Sequence, residues 1–144
     1  MVMSAARRSG PREYATDEIV VEWHPHLCFH SQNCVNALPA VFDSSRRPWI
    51  EVDAATADEI DAAVDGCPSS ALRLRRLRGA ARPVPAELEV RPTPDGPLLV
   101  RGRLRVTLAD GSSEELTRAA FCRCGQSRNK PFCDGTHREI GFKA

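Results

Sequence analysis

The sequence predicts an α+β protein built as two small lobes in series, and three observations predict it. The six cysteines fall into two sets, Cys28, Cys34 and Cys67 in the first half and Cys122, Cys124 and Cys133 in the second. A stretch rich in glycine, alanine and proline lies between the sets. Strand and helix patterns alternate before that stretch, whereas after it the pattern is mostly that of short strands. Each lobe of the 144-residue chain then has only about 60 to 65 residues, a size at which a hydrophobic core alone is marginal and a metal or disulfide often adds the rest.

Residues 1–17 lack periodicity and are expected to form a flexible tail. Glu18 to Trp23, centred on Ile19, Val20 and Val21, reads as a strand ended by His24-Pro25-His26. Ser31 is placed to cap a short helix through Leu38, which Pro39 stops, and Pro48 to Val52 reads as a second strand. Thr56 and Glu59 form a capping-box pattern for a helix with Ile60, Ala63 and Val64 on one face and Gly66 as its stop. Alternation of Leu72 and Leu74 with Arg73 and Arg75 gives a strand over Ala71 to Leu77 that can pair with the first. The first domain is thus expected over 18–79, a linker over 80–86 and the second domain over 87–144. In the latter, Glu87 to Arg91, Leu98 to Val100, Arg103 to Leu108 and Leu116 to Arg123 read as strands, with Asp95-Gly96 and Asp110-Gly111 as turns and one helical turn near His137.

Several function classes are disfavoured at this level. The N-terminus has no apolar run of the roughly 7 to 15 residues that a secretory signal needs, and no later run approaches membrane-spanning length. A cytoplasmic protein with no membrane role is the expectation, and in that reducing setting clustered cysteines read as metal ligands or redox groups. A formal net charge of +1 argues against a nucleic-acid surface. No nucleophile elbow, phosphate loop or dinucleotide fingerprint occurs, so the chain is not expected to be a stand-alone enzyme. Arg73, Arg75, Arg76, Arg78 and Arg82 are the one basic concentration; they read as a solvated strand edge, with docking of an acidic redox partner or a phosphate backbone as the alternative.

The strongest signal is near the C-terminus. Cys122, Cys124, Cys133 and His137 put three thiols and one imidazole within sixteen residues. Soft thiolates select zinc, copper(I) or iron-sulfur clusters, and one histidine suits zinc or iron. Structural zinc sites usually separate paired ligands by two to four residues, but a single residue separates Cys122 from Cys124. A 2Fe-2S rhomb needs two ligands on each iron, so the close pair suits one iron and Cys133 with His137 the other. Gly125 and Gly135 permit close backbone approach, so that N–H groups can face sulfur.

These residues resemble the CDGSH iron-sulfur domain family, whose pattern C-x-C-x2-S/T-x3-P-x-C-D-G-S/A/T-H is met by Cys122, Cys124, Ser127, Pro131, Cys133, Asp134, Gly135, Thr136 and His137. The resemblance runs over roughly 87–144 and includes Gly96-Pro97 and Gly141-Phe142. It implies a mainly β domain with a redox-active 2Fe-2S cluster held by three cysteines and one histidine.

In the first half, Cys28, Ser31 and Cys34 follow the C-x2-C-x2-C run of bacterial ferredoxins with serine in the middle place, and Cys67-Pro68 fits the distant ligand. The segment from about 18 to 77 looks like the divergent single-cluster 4Fe-4S ferredoxin-like family. The likeness is carried by Cys28-Phe29-His30-Ser31-Gln32-Asn33-Cys34, Arg47-Pro48-Trp49-Ile50 and Cys67-Pro68-Ser69-Ser70-Ala71-Leu72. That implies a small ferredoxin-like α+β lobe and a second cluster on Cys28, Cys34 and Cys67. Three cysteines suit 3Fe-4S; a 4Fe-4S cluster needs His30, Ser31 or water as a fourth ligand.

The expected function is electron transfer or cluster transfer, with a redox protein or an apo iron-sulfur acceptor as partner. The alternatives are a structural zinc-binding interaction module and an electron-transfer component of a larger oxidoreductase. Oligomeric state is open.

A neutral imidazole in place of a thiolate reduces the negative charge on a cluster and raises its potential, and its outer nitrogen can exchange a proton near neutral pH. The midpoint potential of the C-terminal cluster is therefore expected to fall as pH rises, and His137→Cys is expected to be lower and pH-independent. Potentiometry at several pH values checks this, and pH-independence in both proteins counts against it.

Overall fold

The computed structural model describes residues 11–144, so the expectation for residues 1–10 lies outside the described residues. Two three-stranded antiparallel sheets and a few short helices make a small α+β protein. The chain divides into two compact units. Unit 1 holds the residues up to His26, Ser31–Cys67 and Ala71–Arg82; unit 2 holds Leu27–His30, Pro68–Ser70 and Pro83–Ala144.

In unit 1 the sheet order is β1 (Arg12–Ala15), β2 (Ile19–Trp23), β3 (Leu72–Arg76). The expected pairing of the first strand with the Leu72 segment is present, with Val21 opposite Leu74 and Trp23 opposite Leu72. β1 falls where a tail was expected. Its residues are mostly exposed, so no apolar alternation announces it; pairing supplies the order, with Tyr14 opposite Val21 and the Arg12 guanidinium 5.5 Å from the Trp23 ring centroid.

Helix α1 (Asn33–Ala37) starts after Gln32, which adopts φ 69°; Ser31 Oγ accepts from the Asn33 N–H at 3.4 Å. Helix α2 (Ala57–Asp65) carries the expected capping box. Thr56 Oγ1 accepts from Glu59 N–H, and Glu59 Oε1 accepts from Thr56 N–H, an arrangement that stabilises a helix start by about 1 kcal/mol. Its buried face presents Ile60, Ala63 and Val64, and full burial of a side chain such as Ile60 contributes about 1.5–3 kcal/mol.

The strand expected over Pro48 to Val52 does not form. A single bridge joins Phe42 to Ile50, Pro48 has no N–H to donate, and Val52–Ala54 winds into a 3₁₀ turn. Arg46 instead holds the loop by donating to the carbonyls of Val41 and Pro48, and Trp49 packs its ring against those of Trp23 and Phe42.

In unit 2, β4 (Glu89–Pro92), β5 (Leu98–Thr107) and β6 (Ser113–Phe121) form a meander. The sequence suggests two strands where β5 is one. Gly102, at φ 134°, absorbs a register shift between Arg101 and Leu104, so a residue that reads as a break is a bulge. Val100, Val106, Leu116, Ala119, Ala120 and Phe132 are buried, and Ser70 Oγ donates to the Arg118 carbonyl. Helix α3 (Thr136–Glu139) is the turn expected near His137. Among the described residues no helix is long and apolar enough to cross a membrane.

One polar group lies on the buried side of α2. Asp61 accepts from Arg76 Nη2 at 2.8 Å and from Arg82 Nε at 3.1 Å. Burial works to raise its pKa, but the hydrogen bonds and charges of Arg76 and Arg82 outweigh it and hold the carboxyl below the ordinary value. An acid shifted downward in the folded state contributes stability above its unfolded pKa and loses it as pH falls through the folded one. Asp61→Asn is therefore expected to lower stability at pH 7 by on the order of 1 kcal/mol, given the solvent around Arg82, and with it Tm. Thermal melts followed by circular dichroism should show the gap closing on acidification; equal Tm values at pH 7 contradict the assignment.

Candidate metal centre

Strand β6 ends at Phe121 and delivers Cys122 into a loop that turns back on itself. Cys122 N–H donates to Pro131 O and Cys133 N–H to Ala120 O, both at 2.8 Å, and Phe121 bridges Phe132 with their rings stacked at 5.9 Å. Those bonds set Cys122 and Cys133 on neighbouring rungs although ten residues separate them. Buried Ser127 closes the loop by donating to Phe132 O at 2.6 Å. Asp134 braces the exit: it accepts from Thr136 N–H and Oγ1–H through one oxygen and from Arg128 N–H through the other. His137 thereby faces back over Cys133.

The four expected ligands meet as two pairs. Cys122 Sγ lies 3.9 Å from Cys124 Sγ, and Cys133 Sγ lies 3.4 Å from His137 Nδ1. Two thiolates on one tetrahedral metal at ordinary bond lengths sit about 3.8 Å apart, and a thiolate and an imidazole nitrogen about 3.6 Å. Each pair thus has the spread of two ligands on one metal. Among the described residues no group of three or more Cys, His, Asp or Glu converges on one ion. The donors of both pairs line one depression of about 170 Å³, counted to include its open side, with Ser127 and Thr136 also in its wall and Gly96-Pro97 at its edge.

Backbone N–H groups point at the sulfurs, from Gly125 to Cys122 at 3.3 Å, Gln126 to Cys124 at 3.4 Å and Gly135 to Cys133 at 3.4 Å. At Cys122, burial works to raise the thiol pKa, but the N–H groups of Ser127 and Gly125, with Cys124 and the Lys130 charge, outweigh it and hold the thiol below its ordinary value. At Cys133, burial dominates and pushes the thiol up despite the Gly135 N–H. Burial, helped by the Arg138 charge, holds His137 below the ordinary imidazole value and so favours the neutral ring that a metal requires. This donor set fits an anionic two-metal group: thiolate-stabilising amides, a neutral imidazole, and two pairs of ligands.

Two contributors escaped the sequence reading. Arg123, between two ligands, donates to Gly96 O at 2.9 Å and Thr93 O at 2.7 Å and stacks on Phe142, which fixes the turn beside the outer imidazole nitrogen. A Cβ at Gly96 would lie 3.7 Å from His137 Nε2. Phe29 packs against Cys133 and Ala120, and its signal is absent from sequence because its contacts come from the far end of the chain.

The first-half ligands fall in both units. Cys28 lies in the Leu27–His30 segment of unit 2, its Sγ 3.8 Å from His30 Nδ1. In unit 1, Cys34 lies in α1 and Cys67 is buried just past α2. Asn33 Nδ2 donates to Gly66 O at 3.1 Å, joining the residue before Cys34 to the residue before Cys67. All six cysteines are thiols. Four of these arginines form ion pairs: Arg76 with Asp58 and Asp61, Arg82 with Asp61 and Asp65, and, more exposed, Arg75 with Glu13 and Glu22 and Arg78 with Asp17.

Comparison with known proteins accords with this chemistry. Residues 14–77 match the family described as a divergent 4Fe-4S mono-cluster, and residues 95–138 match the iron-binding zinc finger of CDGSH type. The Uncharacterized protein YjdI of Escherichia coli strain K12 is 41% identical over 69 residues, which are 46% of this chain and 87% of that protein. Its counterpart in Escherichia coli O157:H7 matches to the same extent. Each half of the molecule thus carries its own iron-binding signature, and the chain belongs to the divergent 4Fe-4S mono-cluster family, here joined to a CDGSH-type iron-binding domain.

Proposed function

We propose that the chain is an electron-transfer protein with two iron-sulfur centres. Cys122 and Cys124 would hold one iron of a 2Fe-2S cluster and Cys133 and His137 the other, while Cys28, Cys34 and Cys67 would hold a 3Fe-4S or 4Fe-4S cluster. The observation that carries this reading is the two-and-two pairing of donors, at 3.9 Å and 3.4 Å, inside one depression. Such a cluster, when bound, supplies a one-electron couple at iron.

The residues of the chain do the rest. The Gly125, Gln126 and Gly135 amides disperse negative charge on the thiolates, which eases the addition of an electron. His137 offers Nδ1 in its neutral form, leaving Nε2 toward Gly96. The buried Cys133 thiol, disfavoured as a thiolate on its own, would lose its proton to water when a metal cation binds beside it. Exposed Arg128 and Lys130 on the same loop suit an acidic face on a redox partner. Handing the cluster to an apo acceptor is the competing use of the same site.

Purified anaerobically, the protein is expected to be red-brown, with acid-labile sulfide and more than two irons per chain. Cys133→Ala should remove two irons and two sulfides while the paramagnetic resonance signal of the other centre persists. One zinc per chain without labile sulfide at the C-terminal site contradicts the reading. Movement of the cluster to an apo ferredoxin faster than electron exchange assigns the site to cluster delivery instead.

A further inference from the structure

Arg123 stands between Cys122 and Cys124 in sequence, and its guanidinium grips backbone. Nε donates to Gly96 O at 2.9 Å, and Nη2 donates to Thr93 O at 2.7 Å and to Ala144 O at 3.4 Å. The Phe142 ring centroid lies 5.3 Å from its Cζ. One side chain thus holds two segments at once, the turn over 93–97 and residues 142–144. Those segments are tied to each other and to His137. Asp95 N–H donates to Ala144 O at 3.1 Å, Ala144 N–H donates to Asp95 Oδ1 at 2.9 Å, and Phe142 N–H donates to His137 O at 3.0 Å. The turn sits close against the imidazole: a Cβ at Gly96 would lie 3.7 Å from His137 Nε2 and 2.5 Å from Thr93 Oγ1. All of these residues belong to unit 2.

We infer that Arg123 is a positioning residue, a latch that holds the 93–97 turn against the outer edge of His137 and so sets how long the C-terminal cluster is kept. This rests on the 2Fe-2S reading proposed above and concerns retention of the cluster rather than electron carriage. His137 faces Cys133 through Nδ1, so Nε2 is the edge that must move when the ring swings away, and Gly96 stands beside it. In leaving, the imidazole keeps the electron pair of its bond to iron, and a water or chelator donor takes the vacated place; no electron is transferred. A turn held shut opposes that swing. Two carbonyls, those of Thr93 and Gly96, accept from different nitrogens of one planar group, a fork that guanidinium supplies and an ammonium does not. A cation that held an anionic cluster by charge alone would need no such fork. Lysine at position 123 separates the two, because it keeps the charge and loses the fork.

The test begins with iron, labile sulfide and the reduced 2Fe-2S paramagnetic resonance signal of the wild-type holoprotein; absence of that signal rejects the parent reading before the latch is tried. Loss of the signal is then followed over time in excess iron chelator near neutral pH. Arg123→Ala and Arg123→Lys are both expected to lose it about 10 to 100 times faster than wild type, the range by which a contact that orients a ligand changes metal affinity. Wild-type retention in Arg123→Ala overturns the proposal, and so does wild-type retention in Arg123→Lys, which assigns the effect to charge. Hydrogen exchange on the same holoproteins separates a latch from a general brace. The Thr93, Asp95 and Gly96 amides, bonded to Pro97 O, Ala144 O and Thr93 O, should lose protection in Arg123→Ala while those of β5 and β6 keep theirs. Protection lost across the sheet overturns the proposal. Should the Arg123 variants fail to take up a cluster, Phe142→Ala decides, since it keeps the guanidinium and removes the ring stacked on it. It should shed the cluster faster, with Phe142→Tyr restoring retention, and an unchanged rate overturns the proposal.

Discussion

The candidate centre depends on two backbone hydrogen bonds, Cys122 N–H to Pro131 O and Cys133 N–H to Ala120 O. They fold the end of β6 back on itself and so convert a linear spacing of donors into two adjacent pairs. The side-chain arrangement follows from that closure. Ser127 satisfies the Phe132 carbonyl that the tight loop would otherwise bury without a partner, a cost of about 1–3 kcal/mol, and Asp134 braces the loop's more exposed exit. With the loop closed from inside, the sulfurs face amides rather than water. The loop's own backbone bonds thus place the donors in their two pairs.

Electrostatics then differ between the pairs. Around Cys122 hydrogen bonds prevail over burial, whereas around Cys133 burial prevails over hydrogen bonding. Beside the harder-to-ionise thiol stands the neutral imidazole, kept neutral by the same burial. The buried pair therefore carries less negative charge than the outer one. In the proposed 2Fe-2S cluster that asymmetry would make the two irons differ in electron affinity, with the His137 side the readier to accept.

What sequence could reveal was whatever chemistry is local. The C-terminal ligands sit within sixteen residues, and their types and spacing specify a soft-metal site without any knowledge of the fold. The capping box of α2 and the Leu72 strand were legible for the same reason, since the contacts that form them are written in short-range patterns. β1 was not, because its order comes from a partner strand and not from its own apolar face. At Pro48 to Val52 the β-prone residues were misleading, since a missing N–H and a 3₁₀ turn prevail over propensity. Gly102 reads identically as a break or a bulge until the pairing register is known. Phe29 lay beyond reach altogether: the arginine that holds its carbonyl is 109 residues away.

Phe29, the residue after Cys28, packs in the apolar cluster behind Cys133. The segment Leu27–His30 of the first half belongs to the compact unit that holds Cys122, Cys124, Cys133 and His137. The central claim remains the pairing of ligands on two metals, and X-ray absorption at the iron and zinc edges reads it most directly. With the first centre removed by Cys34→Ser, an iron spectrum that contains sulfur, nitrogen and a close iron neighbour is the predicted result. A zinc spectrum with sulfur and nitrogen alone, and no metal neighbour, would contradict it.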